Sequence, residues 1–420
     1  MNAIETNFPT ENTTHYGDDE VADESQLPFE FGTILEDPNT GCSYTLLDFL
    51  GSGSYAVVYL ARDNLSGEDY AIKCLSKRAL SEDMLELQQI EVDIHSSLSH
   101  HKNIVKMESS FSKDEWLFIV MEYCDGEDLF SWISRDADYE TESQFDNPEA
   151  ERISTIKHVF DQVLDAVLFC HQNGVYHRDL KPENFMITYD GVVKLTDFGL
   201  ATTEDYSTDY ECGSKPYLSY ESRNFYRAPY SSRQADIWSL GIIFLNLLYH
   251  QCPWTDPSAG ECDAFAAFMK DKIGFLKMKF DCPNEVAEFL ATQVFCLESD
   301  HGRKGRINLL QWKCWCADLE KNYAAFDSEF SVHDGCIEIP ANKARLEIPS
   351  FSFDNSHQST WSEVFDEEEE MDFNEPVLFE DVSEDHDYDS AYGSFSVKGS
   401  FSHDDDIAAA LEDEFGTLMI

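Results

Sequence analysis

Hydrophobic and polar positions change their period several times along the chain, and each change marks an expected element. Tyr44-Thr45-Leu46-Leu47-Asp48-Phe49-Leu50 is a mostly apolar run that stops at Gly51, which predicts a strand ending in a glycine-rich turn. Ala71-Ile72-Lys73 predicts a later strand. From Glu82 to Leu98 the apolar positions Leu87, Ile90, Ile94 and Leu98 recur at helical spacing, with Glu91 beside them. Leu117 to Val120 predicts another strand. Phe185 to Thr188 and Val192 to Thr196 flank Asp190-Gly191 and predict a hairpin. The stretch from Asp236 to Leu248 is apolar almost all round, which predicts a helix buried as a scaffold. Its apolar run is shorter than the ~20 residues a bilayer requires, so no membrane span is expected.

The hairpin brings its two ends together, and those ends carry chemistry. Before it stands His177-Arg178-Asp179-Leu180-Lys181-Pro182-Glu183-Asn184, and after it Asp197-Phe198-Gly199. Transfer of a γ-phosphoryl group asks a protein to hold a metal ion, a nucleotide and an acceptor hydroxyl in line while stabilising charge on the phosphoryl oxygens. Asp179 suits the task of orienting the hydroxyl and taking its proton, and Lys181 suits a place near the transferring phosphate. Asn184 and Asp197 offer oxygen ligands to a hard cation such as Mg2+. Lys73 needs a carboxylate to hold it, and Glu86, Glu91 and Asp93 are all within reach on the predicted helix.

These motifs resemble the eukaryotic protein-kinase family, as do Gly51-Ser52-Gly53-Ser54-Tyr55-Ala56-Val57-Val58 and Met121-Glu122-Tyr123-Cys124. The resemblance implies an α+β, two-lobed fold: a small five-stranded β lobe with one helix, a larger helical lobe, and disordered acidic flanks. It implies ATP and Mg2+ as cofactors. Among the three acids it selects Glu91, by distance, as the partner of Lys73. It implies nucleotide contacts from Gly51, Ser52, Gly53, Val58, Ala71, Lys73, Met121, Glu122, Cys124, Asp128 and Met186, with Tyr55 shielding the phosphates. Asp128 is read equally as a carboxylate at a helix start. His95 would stack with Met107, His177 and Phe198 in a column between the lobes, or be a buried polar residue on a helix face. Asp236 would brace the catalytic-loop backbone, Arg306 would pair with Glu221, and Ser214 would bridge Asp179 and Lys181, which favours serine/threonine acceptors. Residues Gly213 to Asn224 and Cys252-Pro253-Trp254 are similar to fungal kinases of the nutrient-sensing and meiosis-control type.

Two departures from the family pattern suggest an alternative. Ala56 stands at the third glycine, which is compatible with the turn only if its backbone avoids positive φ. Ser219-Tyr220 precedes Glu221 where Ala-Pro is usual. A pseudokinase or scaffold that recruits partners through its tail is the competing expectation. Arg178 needs an anion from the activation segment, and the position of a phosphothreonine is Tyr210, flanked by Asp209 and Glu211. These two carboxylates are expected to replace a phosphate in part, with Ser207 and Thr208 as candidate phosphosites.

Charge sets the organisation. Residues 1–40 carry ten acids and no Lys or Arg, which predicts a disordered acidic segment before a catalytic domain at 41–320. Residues 321–420 hold 26 acids against four bases, punctuated by Trp361, Phe365, Phe373, Phe379, Tyr388, Tyr392, Phe395 and Phe401. This tail is expected to be disordered and either to dock partners or to solvate, with a short docking helix around Ile407, Leu411 and Phe415. The domain itself counts 46 acids against 25 bases, which favours basic protein substrates and excludes nucleic acid as a partner. Twelve cysteines without framework spacing, and no signal peptide, suggest a reduced protein of the cytoplasm and/or nucleus, acting as a monomer. Cys314 and Cys316 are expected to be packed helix cysteines.

Overall fold

The computed structural model describes residues 27–321 and 323, apart from 54–55, 139–147, 225–228 and 298–304. Strands β1 (Ile34–Glu36), β2 (Ser43–Gly53), β3 (Ala56–Asp63), β4 (Asp69–Ser76), β5 (Met107–Lys113) and β6 (Trp116–Glu122) form one antiparallel sheet in the order β1-β2-β3-β4-β6-β5. A single helix, α1 (Glu82–Leu98), is inserted between β4 and β5.

The sheet has six strands instead of the expected five, and the extra strand corrects the expected domain boundary. β1 pairs Leu35 with Tyr44, and the Phe29 ring lies 5.0 Å from Trp116 and 5.7 Å from Phe118. Tyr59 Oη donates to the Phe29 carbonyl at 3.1 Å. Asp37 is buried and accepts hydrogen bonds from Ser109 Oγ at 2.9 Å and the Asn39 amide at 2.8 Å. Residues 27–40 therefore belong to the folded domain. Their apolar side chains are too sparse to show a period, yet they cover the aromatic outer face of the sheet.

Ser81 caps α1 by accepting from the Met84 amide, and Glu82 and Asp83 in the first turn suit the positive end of the helix. The helix is buried at Glu91, Val92, Ile94, His95 and Leu98, whereas Leu87 and Ile90 are 42% and 38% exposed. Helical spacing placed the element correctly, and the face it buries carries an ion pair and an imidazole among its apolar residues.

After β6 the chain turns through β7 (Gly126–Asp128) into helices α2 (Leu129–Asp138) and α3 (Pro148–Gln172), then makes the hairpin β8 (Phe185–Thr188) and β9 (Val193–Leu195). These three strands form a second sheet in the order β7-β8-β9. Strand β10 (Tyr206–Ser207), helix α4 (Tyr220–Arg223) and strand β11 (Tyr230–Ser231) lead to α5 (Ser232–Tyr249), followed by α6 (Asp263–Lys270), α7 (Lys272–Phe280), α8 (Asn284–Phe289) and α9 (Leu309–Cys316). Every residue of α5 from Ala235 to Leu248 is buried, and around it Trp238, Trp254, Phe265, Phe268 and Phe295 close the core of this half. No helix among the described residues is long and apolar enough to cross a membrane. Of the pair in α9, Cys316 is buried and Cys314 exposed, so only one of them packs. The tail beyond 323, including the aromatic positions and the expected docking helix, lies outside the described residues.

Candidate active site

Strand β4 carries Lys73 beside Val58 of β3 and Ile119 of β6. Its Nζ reaches Glu91 Oε1 at 2.6 Å and Asp197 Oδ1 at 2.8 Å. Glu86 and Asp93, the other two candidates for this pairing, are exposed, and Asp93 accepts instead from Gln89. Burial opposes the charge on Lys73, but Asp197 and Glu91 together overcome it and hold the ammonium above its ordinary range. Lys73 in turn holds the Asp197 carboxyl well below the usual carboxylate range.

The catalytic loop is held from inside. Asp236, wholly buried at the start of α5, accepts hydrogen bonds from the His177 amide at 2.9 Å, the Arg178 amide at 2.8 Å and His171 Nε2 at 2.8 Å. On the loop, Asp179 Oδ1 accepts from the Ser214 amide at 2.9 Å, and Lys181 Nζ lies 3.1 Å from Asp179 Oδ2 and donates to Ser214 Oγ at 2.8 Å. Gly213 makes this closeness feasible, since it has φ +111° and a Cβ there would meet the Arg178 carbonyl at 2.6 Å. Asn184 Nδ2 donates to the Asp179 carbonyl at 2.8 Å, which leaves Asn184 Oδ1 without a protein partner among the described residues. Asp197 Oδ2 is likewise unpartnered there. Two oxygens of this kind suit a hard cation, and no group of three or more His, Cys, Asp or Glu gathers among the described residues, so phosphate and water would complete its shell.

Val58, Ala71, Met121, Cys124 and Met186 meet in one apolar cluster beneath the sheet, a surface of the apolar character that a purine ring needs. The Cys124 amide has no partner among the described residues. Glu122 turns its carboxylate away, accepting from the Lys106 amide at 2.7 Å and Lys194 Nζ at 2.8 Å, so only its backbone faces the cluster. Gly51, Ser52 and Gly53 end β2 with open space where a Cβ would stand on either glycine. Tyr55 lies outside the described residues. Ala56 opens β3 and is not among the positive-φ residues, so it is compatible with the turn. Asp128 proves to be a helix cap: its two oxygens accept from the Ser131 amide at 2.9 Å and Ser131 Oγ at 2.7 Å.

Residues 44–319 match the protein kinase domain family. The chain belongs to that family. It is 36% identical over 235 residues to the negative regulator of sexual conjugation and meiosis of Schizosaccharomyces pombe, covering 51% of this chain and 48% of that protein. It is 38% identical over 236 residues to serine/threonine-protein kinase ksp1 of the same yeast, covering 53% and 47%. It is 36% identical over 186 residues to serine/threonine-protein kinase KSP1 of Saccharomyces cerevisiae, covering 43% and 17%. The chain spans half or less of the length of these relatives.

Within the kinase domain, His95 belongs to a column: its ring is 5.0 Å from Phe198, which is 5.3 Å from His177. Met107 packs against the apolar cluster below the sheet. His95 Nε2 donates to the Val105 carbonyl at 2.7 Å, and burial pushes the imidazole down to about 4. The ring is therefore neutral when folded, and it titrates near 6.5 when unfolded. A depressed folded value means that its contribution to stability is complete above pH 6.5 and is lost as pH falls towards 4. Thermal unfolding followed across that window should show a falling Tm, with a shallower fall in His95→Leu; equal slopes would contradict the assignment.

Arg306 Nη2 meets Glu221 at 2.6 Å, as the resemblance implies. Of the two acids expected beside Arg178, Asp209 makes the contact, at 3.0 Å, whereas Glu211 turns to Arg223 at 2.5 Å. Sequence reasoning missed Tyr176, Asp205, Tyr230 and Arg233, which surround this segment. Tyr176 lies close to Arg178 along the chain, and Tyr230 and Arg233 lie close to Asp236, whereas Asp205 is near neither and carries no such signal.

Proposed function

We propose that this chain is an active serine/threonine protein kinase that moves the γ-phosphoryl group of ATP to hydroxyls of basic protein substrates. The observation that carries the reading is the joined pair of networks: Lys73 bound to both Glu91 and Asp197, and Asp179 bound through Ser214 to Lys181. A pseudokinase would have no reason to keep them together.

Asp179 holds its carboxylate within the loop so that one oxygen can accept the hydrogen bond of an incoming hydroxyl, orient it, and take its proton as the phosphoryl group arrives. Lys181 places a positive charge beside that oxygen. Lys73, fixed by two carboxylates, is ready for the α and β phosphates. Mg2+, when bound at Asn184 and Asp197, would neutralise charge on the phosphate oxygens. Ser214, bonded to both Asp179 and Lys181, supports the serine/threonine reading. Asp128, Glu183 and the acidic surface favour positive side chains around the acceptor. The free state of the cysteines among the described residues supports a reducing compartment, cytoplasm or nucleus, and the acidic, aromatic tail is suited to recruiting partner proteins to a monomer.

Transfer from ATP to matched peptides bearing Ser, Thr or Tyr, each with basic or acidic flanks, tests the reading. The basic Ser and Thr peptides should be the best substrates, with their advantage shrinking as salt is raised. Preference for Tyr, or for acidic flanks, would contradict it.

A further inference from the structure

Arg178 adjoins Asp179, and its guanidinium is largely shielded from water, so its charge must be paired for the loop to hold its shape. Arg178 Nη1 donates to Asp209 Oδ2 at 3.0 Å and to Ser207 Oγ at 3.2 Å, and Nε donates to the Leu200 carbonyl at 2.8 Å. An encoded carboxylate thus supplies the anion.

Further contacts fix the segment that carries it. β10 pairs with β11, Tyr206 opposite Ser231 and Ser207 opposite Tyr230. Tyr230 is buried, and its Oη donates to the Asp209 carbonyl at 2.9 Å. The Ser232 amide in the first turn of α5 donates to the Asp205 carbonyl at 3.0 Å, while the Asp205 carboxylate accepts from Tyr176 Oη. Arg233 donates to Tyr176 Oη at 2.9 Å, with its guanidinium 5.0 Å from the centre of the same ring. Tyr176 immediately precedes His177 and exchanges backbone hydrogen bonds with Thr202. Further along, Glu211 binds Arg223, which also holds Asp256 at 2.9 Å. The catalytic loop, the activation segment and the start of α5 are therefore tied to one another by side chains present in the unmodified chain.

We propose that these contacts form a phosphate-independent latch in which Asp209 replaces an activating phosphate, and in which Tyr230 and Arg233 are positioning residues for phosphoryl transfer. The proposal rests on the kinase reading above and specifies its regulation. A carboxylate is a weaker anion than a phosphate, and the hydroxyl of Tyr230 and the guanidinium of Arg233 make up the difference in geometry. Neither residue touches the acceptor; each acts through the backbone that presents Arg178, Asp179 and Ser214.

The test uses the full chain produced in bacteria and treated with a broad-specificity phosphatase until mass spectrometry finds no phosphate. Transfer to the basic Ser peptide should begin without a lag and at the rate of untreated protein. Asp209→Asn and Tyr230→Phe should each lower kcat roughly tenfold with the KM for ATP unchanged. Asp209→Glu should recover part of the rate, because it keeps the charge. Circular dichroism and ATP binding show that each variant is folded, so a lost rate is read as lost positioning. Wild-type rates in both Asp209→Asn and Tyr230→Phe would overturn the latch. So would a phosphate-free protein that is silent: transfer regained on phosphorylation would leave the kinase reading standing, while silence of both forms would overturn both.

Discussion

Asp179→Asn is expected to lower phosphate transfer by about 10²–10⁴-fold, the range general base catalysis supplies, while ATP binding is retained. The substitution preserves shape and can still accept from the Ser214 amide, now at 2.9 Å from Oδ1. It removes the negative charge that orients an acceptor hydroxyl and leaves Lys181, at 3.1 Å, without its ionic partner. Because Asp179 lies apart from the apolar cluster of Val58, Ala71, Met121, Cys124 and Met186 proposed to take the purine, the nucleotide affinity should hardly move. Steady-state kcat together with calorimetric titration of ATP checks both halves of the prediction. A fall in affinity as large as the fall in kcat would mean that Asp179 supports nucleotide binding more than the chemistry.

The second large effect concerns stability. Arg306→Ala should destabilise the domain by about 3–5 kcal/mol, since removing one member of a buried ion pair takes away what offsets the burial of the other. The Arg306 side chain is wholly buried; it reaches Glu221 at 2.6 Å and the Gln234 carbonyl at 3.0 Å and lies over the Trp238 ring at 4.9 Å. Alanine takes the Arg306 charge away from Glu221, itself mostly buried, and so removes part of what offsets the desolvation of its carboxylate. For a domain of this size the expected fall in Tm is roughly 10 °C by scanning calorimetry. Adding Glu221→Gln to Arg306→Ala should recover part of the loss, because the carboxylate charge is then gone. Identical unfolding temperatures for the single and double variants would place the cost in lost packing on Trp238, not in electrostatics.

The residues proposed to carry the chemistry were legible as a group because that chemistry fixes both their types and their spacing. Asp179, Asn184 and Asp197 stand at the two ends of a hairpin, so a correct strand-turn-strand assignment already brought them together. Glu91 needed the resemblance, since periodicity alone offered three acids on one helix. The buried face of α1 was not legible from an apolar count, since Glu91 and His95 occupy it while Leu87 and Ile90 are exposed. Residues 27–40 were assigned to disorder by charge, although Leu35 and Phe29 need only a ready aromatic surface to pack on. The activation segment was half legible: an acid beside Tyr210 was foreseen, but which acid meets Arg178 depends on the pairing of β10 with β11, strands of two residues each. Strands so short leave no pattern to read.

The central claim is that the two networks around Lys73 and Asp179 form one working site for phosphoryl transfer. The most direct measurement follows label from γ-labelled ATP to the basic Ser peptide, with Mg2+ present, for the wild-type chain beside Asp179→Asn and Asp197→Asn. Transfer by the wild type that both substitutions abolish is the predicted result. Absence of transfer from the wild type under conditions where ATP is bound, or transfer that survives both substitutions, would contradict it.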